Sequence, residues 1–230
     1  MKFRTEWKYI CTDRDLDLLG TKIGELLETD ENALDNIYHV HSLYFDDYLN
    51  SSAFDNDAGA SERSKWRIRY YNDDDSVIKL EKKVKKNDMC YKMTASLDRK
   101  QYGQIMDGDV SELMYNNEDI LVKQFCAEYL HSHLQPKIVI DYERTAFVEP
   151  VSNIRITFDR NISASKDTER FLSGDYIRFP LQEKGTHVLE VKFDDVLPGH
   201  VEKMIHSAQL TRNTFSKYYL GRLVLERNLL

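Results

Sequence analysis

Charged side chains alternate with apolar ones in segment after segment of this chain, and that pattern decides most of what it can fold into. In Arg63-Ser64-Lys65-Trp66-Arg67-Ile68-Arg69-Tyr70, a basic residue recurs at every second position. A period of two belongs to a β-strand, so Arg63, Lys65, Arg67 and Arg69 share one face. Like charges about 7 Å apart along a strand repel one another unless something anionic lies beside them. The alternation returns in Glu6 and Lys8, and in Lys79, Glu81, Lys83 and Lys85. It returns again in Arg155, Thr157 and Asp159, set against Ile154, Ile156 and Phe158. Glu190, Lys192 and Asp194 alternate in the same way with Leu189, Val191 and Phe193.

An open antiparallel sheet with one wet face also alternates. These faces, however, hold mostly bases with single Glu residues, and few of the Thr and small polar residues of a solvated face. A closed barrel of about eight strands can turn such faces inward, around side chains or one elongated ligand. The expected fold is therefore α+β: a closed antiparallel eight-stranded β-barrel, with helices packed outside it and a helical insertion. The 230 residues read as a single domain, 1–230. Strands are expected over 3–10, 40–45, 62–71, 76–86, 137–147, 153–159, 176–181 and 188–194. Thr12 is the expected N-cap of a helix running to about Thr29, with Leu16, Leu19, Ile23, Leu26 and Leu27 as its apolar stripe. The small, acidic stretch 50–60 reads as a loop, and Asp73-Asp74-Asp75 as a solvated turn. Residues 96–134 read as the insertion, with Ser96 capping one helix and Ile120–Leu134 forming another. Pro198-Gly199 breaks the chain before helices at 200–210 and 214–227.

The net charge is −7, which argues against a general nucleic-acid binder and makes the basic strands a local feature. Cys11, Cys90 and Cys126 have no metal-binding spacing and suggest a reducing compartment, so a cytoplasmic location is expected. No apolar run reaches membrane-span length. A lumen of Arg and Lys is costly unless its charge is met. A phosphate chain would meet it, through bidentate Arg forks and Lys point charges. Glu6, Glu81 and Glu190 are poor phosphate ligands but suit Mg²⁺ or Mn²⁺. There is no Walker-type glycine loop and no kinase signature.

A set of short motifs adds to this reading. They are Glu6-Trp7-Lys8-Tyr9, Ser42-Leu43-Tyr44-Phe45-Asp46, Lys65-Trp66-Arg67-Ile68-Arg69-Tyr70 and Leu80-Glu81-Lys82-Lys83. Tyr142-Glu143-Arg144-Thr145-Ala146-Phe147, Arg155-Ile156-Thr157-Phe158-Asp159, Leu189-Glu190-Val191-Lys192 and Phe215-Ser216-Lys217-Tyr218 follow. In their order and spacing the chain resembles the polyphosphate polymerase domain of the vacuolar transporter chaperone (VTC) complex. That domain belongs to the CYTH, or triphosphate tunnel metalloenzyme, superfamily. The resemblance implies a tunnel in which Arg67, Arg69, Lys83, Arg155 and Lys217 serve catalysis. Lys8, Lys65, Lys92, Arg144, Ser216 and Lys192 would bind substrate, and Glu190 and Glu6 would hold Mn²⁺ or Mg²⁺. The implied activity moves the γ-phosphoryl of a nucleoside triphosphate onto a polyphosphate chain. A metal-dependent triphosphatase or polyphosphatase, and a non-catalytic polyphosphate or nucleotide sensor, are the alternatives. The implied partners are nucleoside triphosphate and polyphosphate or triphosphate, not nucleic acid. With no membrane segment in the chain, there is room for a membrane-protein partner. Arg4-Thr5-Glu6-Trp7-Lys8 departs from the Glu-x-Glu-x-Lys pattern common in the wider superfamily, which favours transfer or binding over hydrolysis. Arg144 shares its alternate set with Ile138, Ile140 and Tyr142, so either a bulge intervenes or Arg144 packs structurally. Lys82 and Lys85 read as surface charges.

Overall fold

The computed structural model describes residues 3–30 and 37–227. Its strands are β1 (Arg4–Thr12), β2 (Glu28–Thr29), β3 (Tyr38–Asp46), β4 (Glu62–Tyr71), β5 (Asp74–Lys86), β6 (Met89–Leu97), β7 (Gln135–Glu149), β8 (Ile154–Ser165), β9 (Phe179–Pro180) and β10 (Thr186–Phe193). The helices are α1 (Asp13–Gly24), α2 (Ser51–Asp57), α3 (Arg99–Asp107), α4 (Val110–Asn116), α5 (Ile120–Ser132), α6 (Gly199–His206) and α7 (Lys217–Arg227).

Eight strands close into an antiparallel ring in the order β7-β3-β4-β5-β6-β1-β10-β8, with β8 returning to β7. The two short strands β2 and β9 add to β7 and β8. The ring is not a regular barrel. Register shifts interrupt the β3–β7, β4–β5 and β7–β8 ladders. The β6–β1 ladder has only two residue pairs, Arg4 with Cys90 and Thr5 with Met89.

Alternation along each strand sends apolar residues outward to the helices and charged ones inward. Ile105, Leu113 and Phe125 of α3, α4 and α5 pack on Phe45, Trp66, Ile68 and Leu80. Leu19 and Ile23 of α1 and Val201 and Ile205 of α6 pack on Ile156, Leu189 and Val191. Each such side chain contributes about 1.5–3 kcal/mol on burial, and these outer layers support a lumen full of charge. On the inner face, Tyr218 and Leu225 of α7 pack with Tyr44, Ile138, Ile140 and Ala164. A Cβ at Gly221 would lie 2.7 Å from the Ile140 side chain and 2.8 Å from that of Ile138. The helix backbone therefore rests directly on the inner wall, and α7 fills that part of the ring.

Thr12 caps α1 as expected, in a capping box with Asp15, but the helix ends at Gly24. Three other expectations are corrected. The eighth ring strand is β6, where no strand was expected, whereas the expected strand at 176–181 is only the two-residue β9 outside the ring. Ser96 lies in β6, and Asp98 caps α3 in a capping box with Gln101. The stretch 50–60 contains α2, whose first amides donate to carboxylates well upstream. Ser51 donates to Asp47 at 2.8 Å and Ser52 to Asp46 at 2.9 Å.

Candidate functional site

The inner faces enclose a cavity of about 1810 Å³. All thirteen residues singled out above line it: Glu6 and Lys8 of β1; Lys65, Arg67 and Arg69 of β4; Lys83 of β5; Lys92 of β6; Arg144 of β7; Arg155 of β8; Glu190 and Lys192 of β10; Ser216 and Lys217 at the start of α7. Fifteen basic but only six acidic residues line the cavity among the described residues, so the lumen is basic inside an acidic protein.

Arg144 faces the lumen without a bulge against β3. The β3–β7 register runs unbroken from Tyr38 opposite Arg144 to Tyr44 opposite Ile138. One inner face is apolar where α7 rests on it, at Ile138 and Ile140, and charged where it meets the cavity, at Arg144. Lys85 also lines the cavity, contrary to its reading as a surface charge. Lys82 lies on the outer face, 4.7 Å above the Trp66 ring and 2.8 Å from Glu128.

The lumen carries its own counter-charges, where alternation alone points to a ligand. Glu81, fully buried, accepts from Arg67 Nε at 2.7 Å and Nη2 at 2.6 Å, and also from Lys92. Its carboxylate is thus committed to bases rather than free for a metal. Asp159 receives both arms of Arg144, at 2.6 and 2.7 Å, and Lys217 Nζ at 2.5 Å. Arg155 Nη2 lies 2.5 Å from Asp30 and donates to Tyr38 Oη at 2.8 Å. Burial alone would raise the Glu81 and Asp159 pKa values, but Arg67, Arg69 and Lys92, and Arg144 and Lys217, outweigh it and hold both carboxyls low.

Tyrosines position the same guanidinium groups. Arg67 donates to Tyr44 Oη at 3.0 Å, and Arg69 to Tyr142 Oη at 3.0 Å and Ser42 Oγ at 2.9 Å. Burial would raise the Tyr44 hydroxyl, yet Arg67 and Arg69 bring it down to about 8.

On β1 and β10 the pattern is different. Glu6 lies 2.7 Å from Lys83, 3.3 Å from Lys8 and 3.5 Å from Lys192. Glu190 lies 2.5 Å from Lys192 and 3.5 Å from Lys8. Two carboxylates thus share two lysines. Burial would raise both carboxyl pKa values; the lysines hold both well below the usual carboxylate range. Among the described residues, no three His, Cys, Asp or Glu side chains form a metal-holding group. Glu6 and Glu190 are a two-carboxylate donor set. That suits Mg²⁺ or Mn²⁺ only where phosphate oxygens and water complete the shell. Two oxygens beside a basic lumen that would hold those phosphates fit such an ion.

Asp159, Tyr38, Tyr44 and Tyr142 have no place in the expected site, and Glu81, expected to suit a metal, serves Arg67 and Lys92 instead. Asp159 and Glu81 did stand on charged alternate faces, and that was the available signal. Which bases they serve depends on strand neighbours that alternation does not name.

The model of the VTC domain matches residues 3–226. The chain belongs to the VTC domain family. Three solved structures share the fold. One is a Hippeastrum protein named as an adenylyl cyclase with a dominant triphosphatase activity: 11% identity, TM-score 0.56, 97% of this chain and 96% of that one. A Bacillus halodurans protein named as an adenylate cyclase has 10% identity and a TM-score of 0.53, over 94% and 96% of the two chains. The Pyrococcus horikoshii protein PH1819 has 13% identity and a TM-score of 0.51, over 97% and 99%. No curated protein sequence matches the chain. The α+β ring of this VTC domain is thus close to the triphosphate tunnel fold. Among the described residues no helix is long and apolar enough to cross a membrane.

Proposed function

We propose that this VTC domain is a metal-dependent phosphotransferase that moves the γ-phosphoryl of a nucleoside triphosphate onto a polyphosphate chain, with residues 1–230 working as one unit. The observation that carries the reading is the convergence of bases from seven of the eight strands of a closed ring on one cavity, in a chain of this family. Arg67, Arg69 and Arg144 present guanidinium forks already fixed by Glu81, Tyr44, Tyr142 and Asp159, so phosphate oxygens meet donors that need no reorganisation. Arg155, Lys83 and Lys217 would neutralise charge on the transferring group, and Lys8, Lys65, Lys92 and Lys192 would hold the flanking phosphates. Ser216 accepts from the Tyr219 amide at 3.3 Å at the start of α7, where a helix N-terminus favours an anion. Glu6 and Glu190 would hold Mn²⁺ or Mg²⁺, which when bound offsets phosphate charge and orients the chain for in-line transfer. No covalent protein nucleophile is required.

Arg4 supports transfer over hydrolysis. It lines the cavity and lies 3.1 Å from Asp194, adding positive charge at a position where a second acid is common in the wider superfamily. The Hippeastrum triphosphatase keeps water as the competing acceptor. Incubation with ATP and Mn²⁺, with polyphosphate and free phosphate assayed separately, tests the reading. Polyphosphate as the main product supports it; free phosphate alone overturns it in favour of hydrolysis; neither product leaves a binding module.

A further inference from the structure

Among the described residues Lys65 is one of three lumen lysines, with Lys79 and Lys85, that lie in no ion pair. Lys8, Lys83, Lys92, Lys192 and Lys217 each lie within an ion pair. The described partners of Lys65 are neutral: Nζ donates to Ser216 Oγ at 2.9 Å and to Asn56 Oδ1 at 3.2 Å, and lies 5.4 Å from the centre of the Tyr218 ring. Its surroundings are basic on several elements. Arg63 and Arg67 flank it on β4, Lys83 stands opposite on β5 with Lys85 beyond, Lys8 faces it from β1, and Lys217 follows Ser216 at α7. The acids on this side are Asp46, at the end of β3, and Asp57, beside Asn56 on α2. Asp46 is engaged by Tyr218 Oη at 2.6 Å and Asp57 by Tyr219 Oη.

We infer that Lys65 is a proton acceptor of the lumen, which takes the proton of a phosphate terminus as that terminus enters beside Ser216 and Lys217. The step is balanced. The P–O–H bond of a monoprotonated terminal phosphate breaks and its electron pair stays on oxygen. The proton forms a third N–H bond on a neutral Nζ, leaving an ammonium beside a phosphate dianion. Where the terminus arrives already deprotonated, the acid form of the buffer supplies the proton, leaving its conjugate base in solution, and the same ion pair results. The inference rests on the proposed phosphate site and gives it an acceptor that the guanidinium groups, always protonated, cannot supply.

The cluster supplies the neutral amine. Burial, then Arg63, Lys8 and Lys83, bring the Lys65 ammonium down to about 7, and Asp46 offsets this only in part. An entering polyanion reverses the field and restores the proton. Lys85 is lowered by the same kind of surroundings, through burial, Lys8 and Arg63, but no described hydrogen bond ties it to Ser216. Lys65 is therefore the amine placed at the start of α7.

Two measurements decide. The first is calorimetric titration of tripolyphosphate, without metal, into the wild-type chain and Lys65→Arg at about pH 8, in two buffers of different ionisation enthalpy. Lys65→Arg keeps the positive charge but cannot accept a proton. The wild type should take up about one proton more than the variant, and the difference should vanish below about pH 6, where Lys65 is already charged. Equal proton counts with binding intact overturn the proton role and leave the phosphate site standing. Absence of binding in both proteins removes the phosphate site and this role with it. The second measurement needs no ligand: acylation of Lys65 against pH, read by peptide mass spectrometry. A midpoint near 7 supports the inference, and one near the ordinary lysine value overturns it even if both proteins bind tripolyphosphate.

Discussion

The lumen has two unlike walls. On β4 and β7 the bases are Arg67, Arg69 and Arg144, each with its guanidinium held by at least two hydrogen bonds: to Glu81 and Tyr44, to Ser42 and Tyr142, or to both oxygens of Asp159. On β1, β5 and β10 the bases are Lys8, Lys83 and Lys192, crowded around Glu6 and Glu190 with contacts from 2.5 to 3.5 Å. A guanidinium is a rigid fork, and a fork pinned on one side presents its remaining donors in a fixed direction. An ammonium is a compact charge on a flexible stem, and its partners can be exchanged. Under the proposed function, the arginine wall positions an anion. Under the same proposal the lysine wall trades partners, and an added cation would take over carboxylates that the lysines now share.

Four experiments test this contrast, in order of falling effect. The largest is removal of a brace. Asp159→Ala leaves Arg144 and Lys217 buried and unpaired, which should cost about 3–5 kcal/mol of stability by denaturant unfolding. A loss under about 1 kcal/mol would show that the arginine wall is not held by its carboxylates. Next, Arg69→Ala removes a pre-positioned donor and should weaken tripolyphosphate binding by about 1.5–3 kcal/mol, roughly 10- to 150-fold by calorimetry. Glu190→Gln on the other wall should abolish metal-dependent turnover while leaving metal-free tripolyphosphate binding equal or tighter, because a charge repelling the ligand is gone. If Glu190→Gln loses that binding as badly as Arg69→Ala, Glu190 is a brace and the two walls are alike. The smallest effect belongs to a control on the outer face. Lys82→Met breaks the pair with the partly exposed Glu128, and should cost about 1 kcal/mol or less with no change in tripolyphosphate affinity.

Acid titration tests both walls together. The Glu6, Glu81, Asp159 and Glu190 carboxyls are all held low in the folded chain. Groups lowered on folding contribute stability that is fully present above their unfolded values and is lost as pH falls through the folded ones. Urea unfolding should therefore show falling stability below about pH 4, and Glu81→Gln should flatten that fall. A wild-type profile flat across this range would mean that the lumen carboxylates are not held by their bases.

What the sequence could show follows from what alternation encodes. A period of two sorts residues by face, so it placed Lys65, Arg67 and Arg69 together in the lumen, and Leu189 and Val191 together on the outside. It does not say which strands are neighbours. Asp159 was visible on a charged face, but its service to Arg144 and Lys217 arises from the β7–β8 pairing and from α7. β6 was missed because Met89–Leu97 mixes exposed and buried residues with little charge beyond Lys92. α2 was missed because its amides are capped by Asp46 and Asp47, which sit upstream where no local capping rule looks. Alternation gives the Tyr44 and Tyr142 hydroxyls no role; they gain one only where Arg67 and Arg69 reach them across the sheet.

The two-pair ladder between β6 and β1 has a consequence for motion. Every other ladder of the ring has five residue pairs or more, so this junction is the least reinforced stretch of its circumference. Local opening concentrates where few backbone bonds must break together. Deuterium should therefore enter first at the amides along Arg4–Glu6 and Met89–Cys90, well before the β7–β8 ladder. Side-chain links across that junction include the Lys83–Glu6 contact at 2.7 Å and the bond from Cys90 Sγ to Glu6 at 3.4 Å. The carboxylate shared by three lysines is thus also a clasp on the thinnest part of the wall.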